Sequence, residues 1–98
     1  DKKKYHMAKI KEAAEKATTA TASSLDELRS MMKDKDSAIR YWGATGCIIL
    51  GKGSAPAKSD LIGLCKDPCA DVRSAASQAL FMMGEVKAAE STLEAILS

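Results

Sequence analysis

The side chains able to do chemistry are few and scattered. His6 is the only histidine and sits among Lys2, Lys3, Lys4 and Lys9. With no second imidazole there is no His-based metal site, and a solvated surface residue is the expectation. Cys65-Lys66-Asp67-Pro68-Cys69 has a spacing that zinc could tolerate. Structural zinc takes four ligands, however, and no second Cys or His pair is present. The same two thiols could close a local disulfide in an oxidising compartment if their geometry allowed it. Otherwise they read as one buried cysteine at a helix end and one exposed in a turn. Cys47 falls in an apolar run and reads as a small core residue. Three cysteines are an odd number and too few for a disulfide framework. Catalysis needs a nucleophile, acid or base brought together. No such set converges, so no catalytic, cofactor-binding or metal-binding residue is assigned and no cofactor is expected.

One polar pattern does recur. Lys33-Asp34-Lys35-Asp36-Ser37-Ala38-Ile39-Arg40 lies over Lys66-Asp67-Pro68-Cys69-Ala70-Asp71-Val72-Arg73, 33 residues on, without gaps. Both copies end in an apolar pair and glycine, Leu50-Gly51 and Met83-Gly84. A period of this length marks a helical solenoid. Arg40 and Arg73 would project from equivalent turns, where they could bind an anion.

The elements that must position these residues are helices. At 100° per residue, Ile39, Trp42, Gly43, Gly46, Cys47, Ile49 and Leu50 fall on one broad arc of a helix over 37–50. The matching residues Val72, Ala75, Ala76, Ala79, Leu80, Met82 and Met83 fill it in the next copy. The glycines and alanines on that arc are small enough for close helix approach, which must offset about 1 kcal/mol of lost propensity per glycine. Tyr41, Ile48 and Phe81 lie opposite the arc, and Ile48 and Phe81 are repeat equivalents. Either another helix covers them or they form an apolar face on which a partner docks.

Shorter helices fill the remainder. Ser24-Leu25-Asp26-Glu27 reads as a capping box. Ser54 and Pro56 mark the start of a helix carrying Leu61, Leu64 and Cys65. Met7, Ile10, Ala14 and Ala17 support an amino-terminal helix, and Val86, Ala89, Leu93, Ile96 and Leu97 a last one. Six helices in three pairs result, with no competing strand pattern. The fold class is all-α, an α-α superhelix of about three helix pairs, with repeats at roughly 1–33, 34–66 and 67–98.

Charge narrows the partners. Fifteen basic against thirteen acidic residues leave +2, too balanced to imply polyanion binding. Residues 1–11 carry +4, however, so Lys2, Lys3, Lys4, Lys9 and Lys11 could touch nucleic-acid phosphates. Against that, the rest of the chain is net negative and no lysine stripe recurs at the repeat period. No apolar run reaches the roughly 18 residues of a membrane span. The start at Asp1, without Met or a leader, suggests a mature form, a fragment or an excised domain.

Asp67-Pro68, Val72-Arg73, Ala75-Ala76, Ala79-Leu80 and Gly84 resemble the short HEAT-like repeats. The earlier copy matches through Asp34, Asp36, Ile39-Arg40 and Gly51 but has Tyr41-Trp42-Gly43-Ala44 where alanines are usual. The run from Ser37 to Gly46 looks like the HEAT-like module at the carboxyl end of some bacterial sulfatases acting on sulfated sugars. The sulfatase signature itself is absent: Ser54-Ala55-Pro56-Ala57-Lys58 ends in Lys rather than Arg, and Cys69-Ala70-Asp71-Val72-Arg73 lacks the proline.

The HEAT resemblance implies that Arg40 and Arg73 reach aspartates of neighbouring repeats, among Asp34, Asp36, Asp67 and Asp71, as a stacking ladder. The function implied is non-catalytic: a protein-interaction or structural module, the accessory domain of a sulfatase-like hydrolase, periplasmic or extracellular. Its partner would be the parent's catalytic domain or another protein. An independent HEAT-type adaptor is the alternative, followed by a nucleic-acid backbone binder using the basic amino-terminal helix.

Overall fold

Local rules account for most helix starts and stops. In the computed structural model, which describes residues 2–84, α1 spans Lys2–Thr18, α2 Leu25–Met31, α3 Ser37–Leu50, α4 Lys58–Leu64 and α5 Ala70–Met82. Tight 3-10 turns at Ala22–Ser24 and Gly51–Ala57 lead into α2 and α4. No strand occurs among the described residues, and the architecture is all-α, as expected. The expected last helix, carrying Val86 to Leu97, lies outside the described residues.

Asp36 has extended backbone (φ −85°, ψ 122°), and its carboxylate accepts the Ala38 N–H, satisfying a free donor at the start of α3. Cys69 repeats that backbone (φ −87°, ψ 123°) ahead of α5 without a side-chain cap. Both helices end at glycines with left-handed φ, Gly51 at 57° and Gly84 at 91°, a conformation that costs a residue with a Cβ.

Two expected starts differ. Ser24 does not cap α2: the preceding turn leaves it in helical backbone (φ −86°, ψ −4°), and its Oγ accepts the Thr21 N–H instead. Ser54 lies within the 3-10 turn before α4, where its hydroxyl donates to the carbonyls of Cys47 and Gly51.

α3 is the hub, packed against α1 and α2 on one side and α5 on the other, while α4 packs on α5. The core gathers Leu28, Ile39, Cys47, Leu61, Val72 and Leu80. A Cβ on Gly43 would come within 3.0 Å of the Leu28 oxygen and the Met32 nitrogen, so α2 and α3 touch nearly backbone to backbone. The buried arc is rotated from its expected centre. Ala44 and Ser77 are buried, whereas Ile49 and Met82 are 50% and 49% exposed. Those two sit at the edge of the arc. On α1, Met7 is exposed and the buried stripe is Ala13 and Ala17, with Ile10 half-buried.

Candidate functional site

The two turns that open α3 and α5 share one hydrogen-bond design. Asp34 Oδ1 accepts the Asp36 N–H, and Asp67 Oδ1 accepts the Cys69 N–H, each at 2.9 Å. Such a bond two residues ahead folds a chain into a tight turn. Arg40 Nη1 then donates back to the carbonyls of Asp34 (3.0 Å) and Lys35 (2.9 Å). Arg73 Nη1 does the same to Asp67 (2.7 Å) and Pro68 (3.2 Å). Each arginine thereby braces its own turn.

Arg40 also joins one turn to the next. Its Nε and Nη2 donate to Asp67 Oδ2 (2.8 Å) and Oδ1 (3.1 Å), a bidentate pair 27 residues apart in sequence. The Arg40 side chain is 17% exposed and that of Asp67 is 6%. A fork of this kind fixes orientation as well as separation, and here it ties the turn before α5 to the first turn of α3. Arg73 has no carboxylate partner among the described residues.

Asp36 and Asp71 do not pair with these arginines. Asp36 caps α3, and Asp71 lines a groove between α3 and α5. At the amino end, α1 supplies other cations. Lys9 Nζ reaches Asp34 Oδ2 at 3.2 Å, and His6 Nε2 stands 3.1 Å from Asp36 Oδ2, close but not aligned as a hydrogen bond. Lys16 bridges Glu12 and Glu27. Thus Lys9 of the basic segment is already matched to a carboxylate, while the side chains of Lys2 to Lys4 lie outside the described residues.

A second link joins α2 to α4. Arg29 Nε donates to Asp60 Oδ2 at 2.7 Å. Sequence reading missed this pair, although a signal existed: Glu27 and Asp60 are acidic residues one period apart, and both receive cations, Glu27 from Lys16.

Ionisation states follow from these contacts. Burial raises the Asp67 pKa, but the bonds from Arg40 and the Cys69 N–H, with the charges of Arg40 and Arg73, outweigh it and hold the carboxyl below its ordinary 3.8. The Asp36 N–H chiefly lowers Asp34, against the effect of partial burial and with help from Lys9. Stability linked to a depressed carboxyl is present above the unfolded pKa and is lost as pH falls through the folded one. The unfolding free energy from urea titrations should therefore be level from pH 7 to about 5 and decline below about pH 4. Arg40→Ala should flatten that decline, and an unchanged acid profile in this variant would remove Asp67 as its source.

Among the described residues no group of three or more His, Cys, Asp or Glu is placed to hold a metal ion. No helix there is long and apolar enough to cross a membrane. Burial pushes the Cys47 thiol up to about 11, which keeps it protonated and unreactive. Cys65 and Cys69 are free thiols, both half-buried rather than one buried and one exposed.

Tyr41, Thr45 and Ile48 of α3 face Asp71, Ser74, Ala75 and Gln78 of α5 across the groove. Tyr41 and Ile48 are half-buried there, while Phe81 is 56% exposed.

Comparison with known families bears on the class of the repeat. Residues 59–86 match the HEAT repeat family model. The match runs from α4 through α5 and supports a HEAT-like repeat domain. HEAT repeats generally serve as non-catalytic interaction or structural modules. No curated protein and no solved structure matches the chain.

Proposed function

We propose that residues 1–98 form a single HEAT-like unit whose work is done by its helix faces, as a structural and protein-binding module without chemistry of its own. The observation that carries this reading is the Arg40–Asp67 fork. Among the described residues, the most highly bonded polar side chains are spent on holding one hairpin against the next, in repeats at roughly 1–33, 34–66 and 67–98. The finer reading is an accessory carboxyl-terminal domain of a sulfatase-like hydrolase. It rests on the Ser37–Gly46 run, whose Tyr41 and Trp42 meet edge to face with ring centroids 5.3 Å apart. Its partner is then the catalytic domain of the same polypeptide.

The test is site-specific photo-crosslinking in the native host. A photoreactive phenylalanine analogue replaces Phe81 or, as a control, the exposed Lys52. A discrete protein adduct at position 81 and none at 52 supports the reading, and an intramolecular adduct to a hydrolase domain supports the finer one. Equal, diffuse adducts at both positions, or a nucleic-acid adduct from a third probe placed at Lys11, overturn it.

A further inference from the structure

We infer that Tyr41 of α3 and Asp71 of α5 form a slot for a guanidinium, and that the groove between these helices takes an extended, arginine-bearing peptide segment of a partner protein. This rests on the protein-binding reading above and names the chemistry of the segment bound.

Two adjoining depressions lie between α3 and α5. One, of about 400 Å³, is lined by Ser37, Ala38, Tyr41, Cys69 and Asp71. Its neighbour, of about 350 Å³, runs on past Thr45, Ile48, Ser74 and Gln78. Tyr41 and Asp71 border both, so they stand at the waist of one groove.

This pair departs from the repeat. One period on from Tyr41 is Ser74, and one period back from Asp71 is Ala38. An aromatic ring from one copy and an acid from the next thus line the groove together with two small residues. Hairpin stacking does not account for the arrangement, since the bonds that join the two turns run through Arg40 and Asp67.

The polar groups of the groove are uncommitted. The side chains of Ser37, Asp71, Ser74 and Gln78 make no hydrogen bond or ion pair among the described residues. Asp71 sits in the first turn of α5, where negative charge is favourable, yet its oxygens accept no N–H there. Arg40 does not answer it, because Asp67 holds that fork. The exposed carboxylate beside a half-buried ring is therefore open to a ligand.

These groups specify what fits. A guanidinium stacks on an aromatic face and forks onto a carboxylate, so one arginine satisfies Tyr41 and Asp71 together. The Gln78 amide offers both a donor and an acceptor to a peptide backbone, and Ile48 and Ala75 supply apolar contact. A phosphate or other anion would meet the like charge of Asp71.

The test is a ¹H–¹⁵N titration of the 98-residue chain with three capped peptides, Ala-Ala-X-Ala-Ala, in which X is arginine, its neutral isostere citrulline, or glutamate. The arginine peptide should shift the amides of Tyr41, Asp71 and Gln78. It should bind about tenfold tighter than the citrulline peptide, the gain expected of an exposed ion pair and ring contact together, and the glutamate peptide should not bind. Added salt should erode that preference. Asp71→Asn should abolish it without moving the melting midpoint, and Tyr41→Leu should weaken it. Asp71 is exposed, so its variant decides the matter even where Tyr41→Leu fails to fold. Equal binding of the arginine and citrulline peptides, shifts confined to other surfaces, or full binding by Asp71→Asn would overturn the inference. So would Tyr41 and Asp71 signals that move on dilution of the free chain, since a second copy then fills the slot. Asp71→Asn shifts in residues 85–98 of the free chain would overturn it too, by placing the chain's own segment there. The titration reads one slot, so its failure beside a discrete adduct at position 81 leaves the wider reading standing.

Discussion

Arg40→Ala should lower the free energy of unfolding by about 2–4 kcal/mol, measured by urea titration near neutral pH. Breaking a fully buried ion pair by removing one partner costs roughly 3–5 kcal/mol because a charge is stranded. A solvated pair contributes about 0–1 kcal/mol. Asp67, 6% exposed, lies near the buried limit, and Arg40, at 17%, is slightly wetter. Without the guanidinium, the Asp67 carboxylate keeps the Cys69 N–H as its remaining hydrogen-bond donor, and the carbonyls of Asp34 and Lys35 lose theirs. Arg40→Lys should recover part of the loss, since an ammonium keeps the charge but cannot match both carboxylate oxygens. Adding Asp67→Ala to Arg40→Ala should cost less than the sum of the single changes, because the stranded charge is gone. A loss under about 1 kcal/mol for Arg40→Ala would show the fork to be screened like a surface pair, and its role in joining the hairpins would fall.

Leu28→Ala should cost about 3–4 kcal/mol, the range for a leucine removed from a packed interior. Leu28 is fully buried and fills the hollow that Gly46 leaves on α3. A Cβ on Gly46 would stand 2.5 Å from Leu28 Cδ2, 3.0 Å from Cδ1 and 3.3 Å from Ala17 Cα. In the unaltered chain, Gly46→Ala gains about 1 kcal/mol of helix propensity but pays overpacking of about 1–3 kcal/mol. The net is neutral to destabilising. In the Leu28→Ala background the crowding methyls are absent, so the same change should stabilise by about 1 kcal/mol. The decisive readout is that reversal of sign across the double-mutant cycle. Equal effects of Gly46→Ala in both backgrounds would mean that α2 and α3 can shift apart freely, contrary to the close packing described.

The repeat was legible because turn chemistry is local. An aspartate that must accept an N–H two residues ahead, an arginine that must reach back to two carbonyls, and a glycine that must take left-handed φ leave the same residue types at the same offsets. Asp34 and Asp67, Arg40 and Arg73, and Gly51 and Gly84 show all three. What resisted reading depends on neighbours that one helical wheel does not contain. Tyr41 and Ile48 lie opposite the expected apolar arc, yet both are half-buried against the core beside α5. Ile49 and Met82 lie on the nominal apolar arc, yet both are about half exposed. Ser24 has the right residue type for a cap but the wrong backbone, set by the turn before it. The Arg29–Asp60 link joins residues 31 apart, off the 33-residue register, so a search for identities at the period passes over it.

The position of the fork along the helices has a mechanical consequence. Arg40 and Asp67 grip at the ends where α3 and α5 begin, whereas Ile49 and Met82 stand half exposed at the opposite ends. Under load, the two helices should therefore part first at the margin tipped by Gly51 and Gly84, with the aspartate turns keeping their spacing like pages held at a spine.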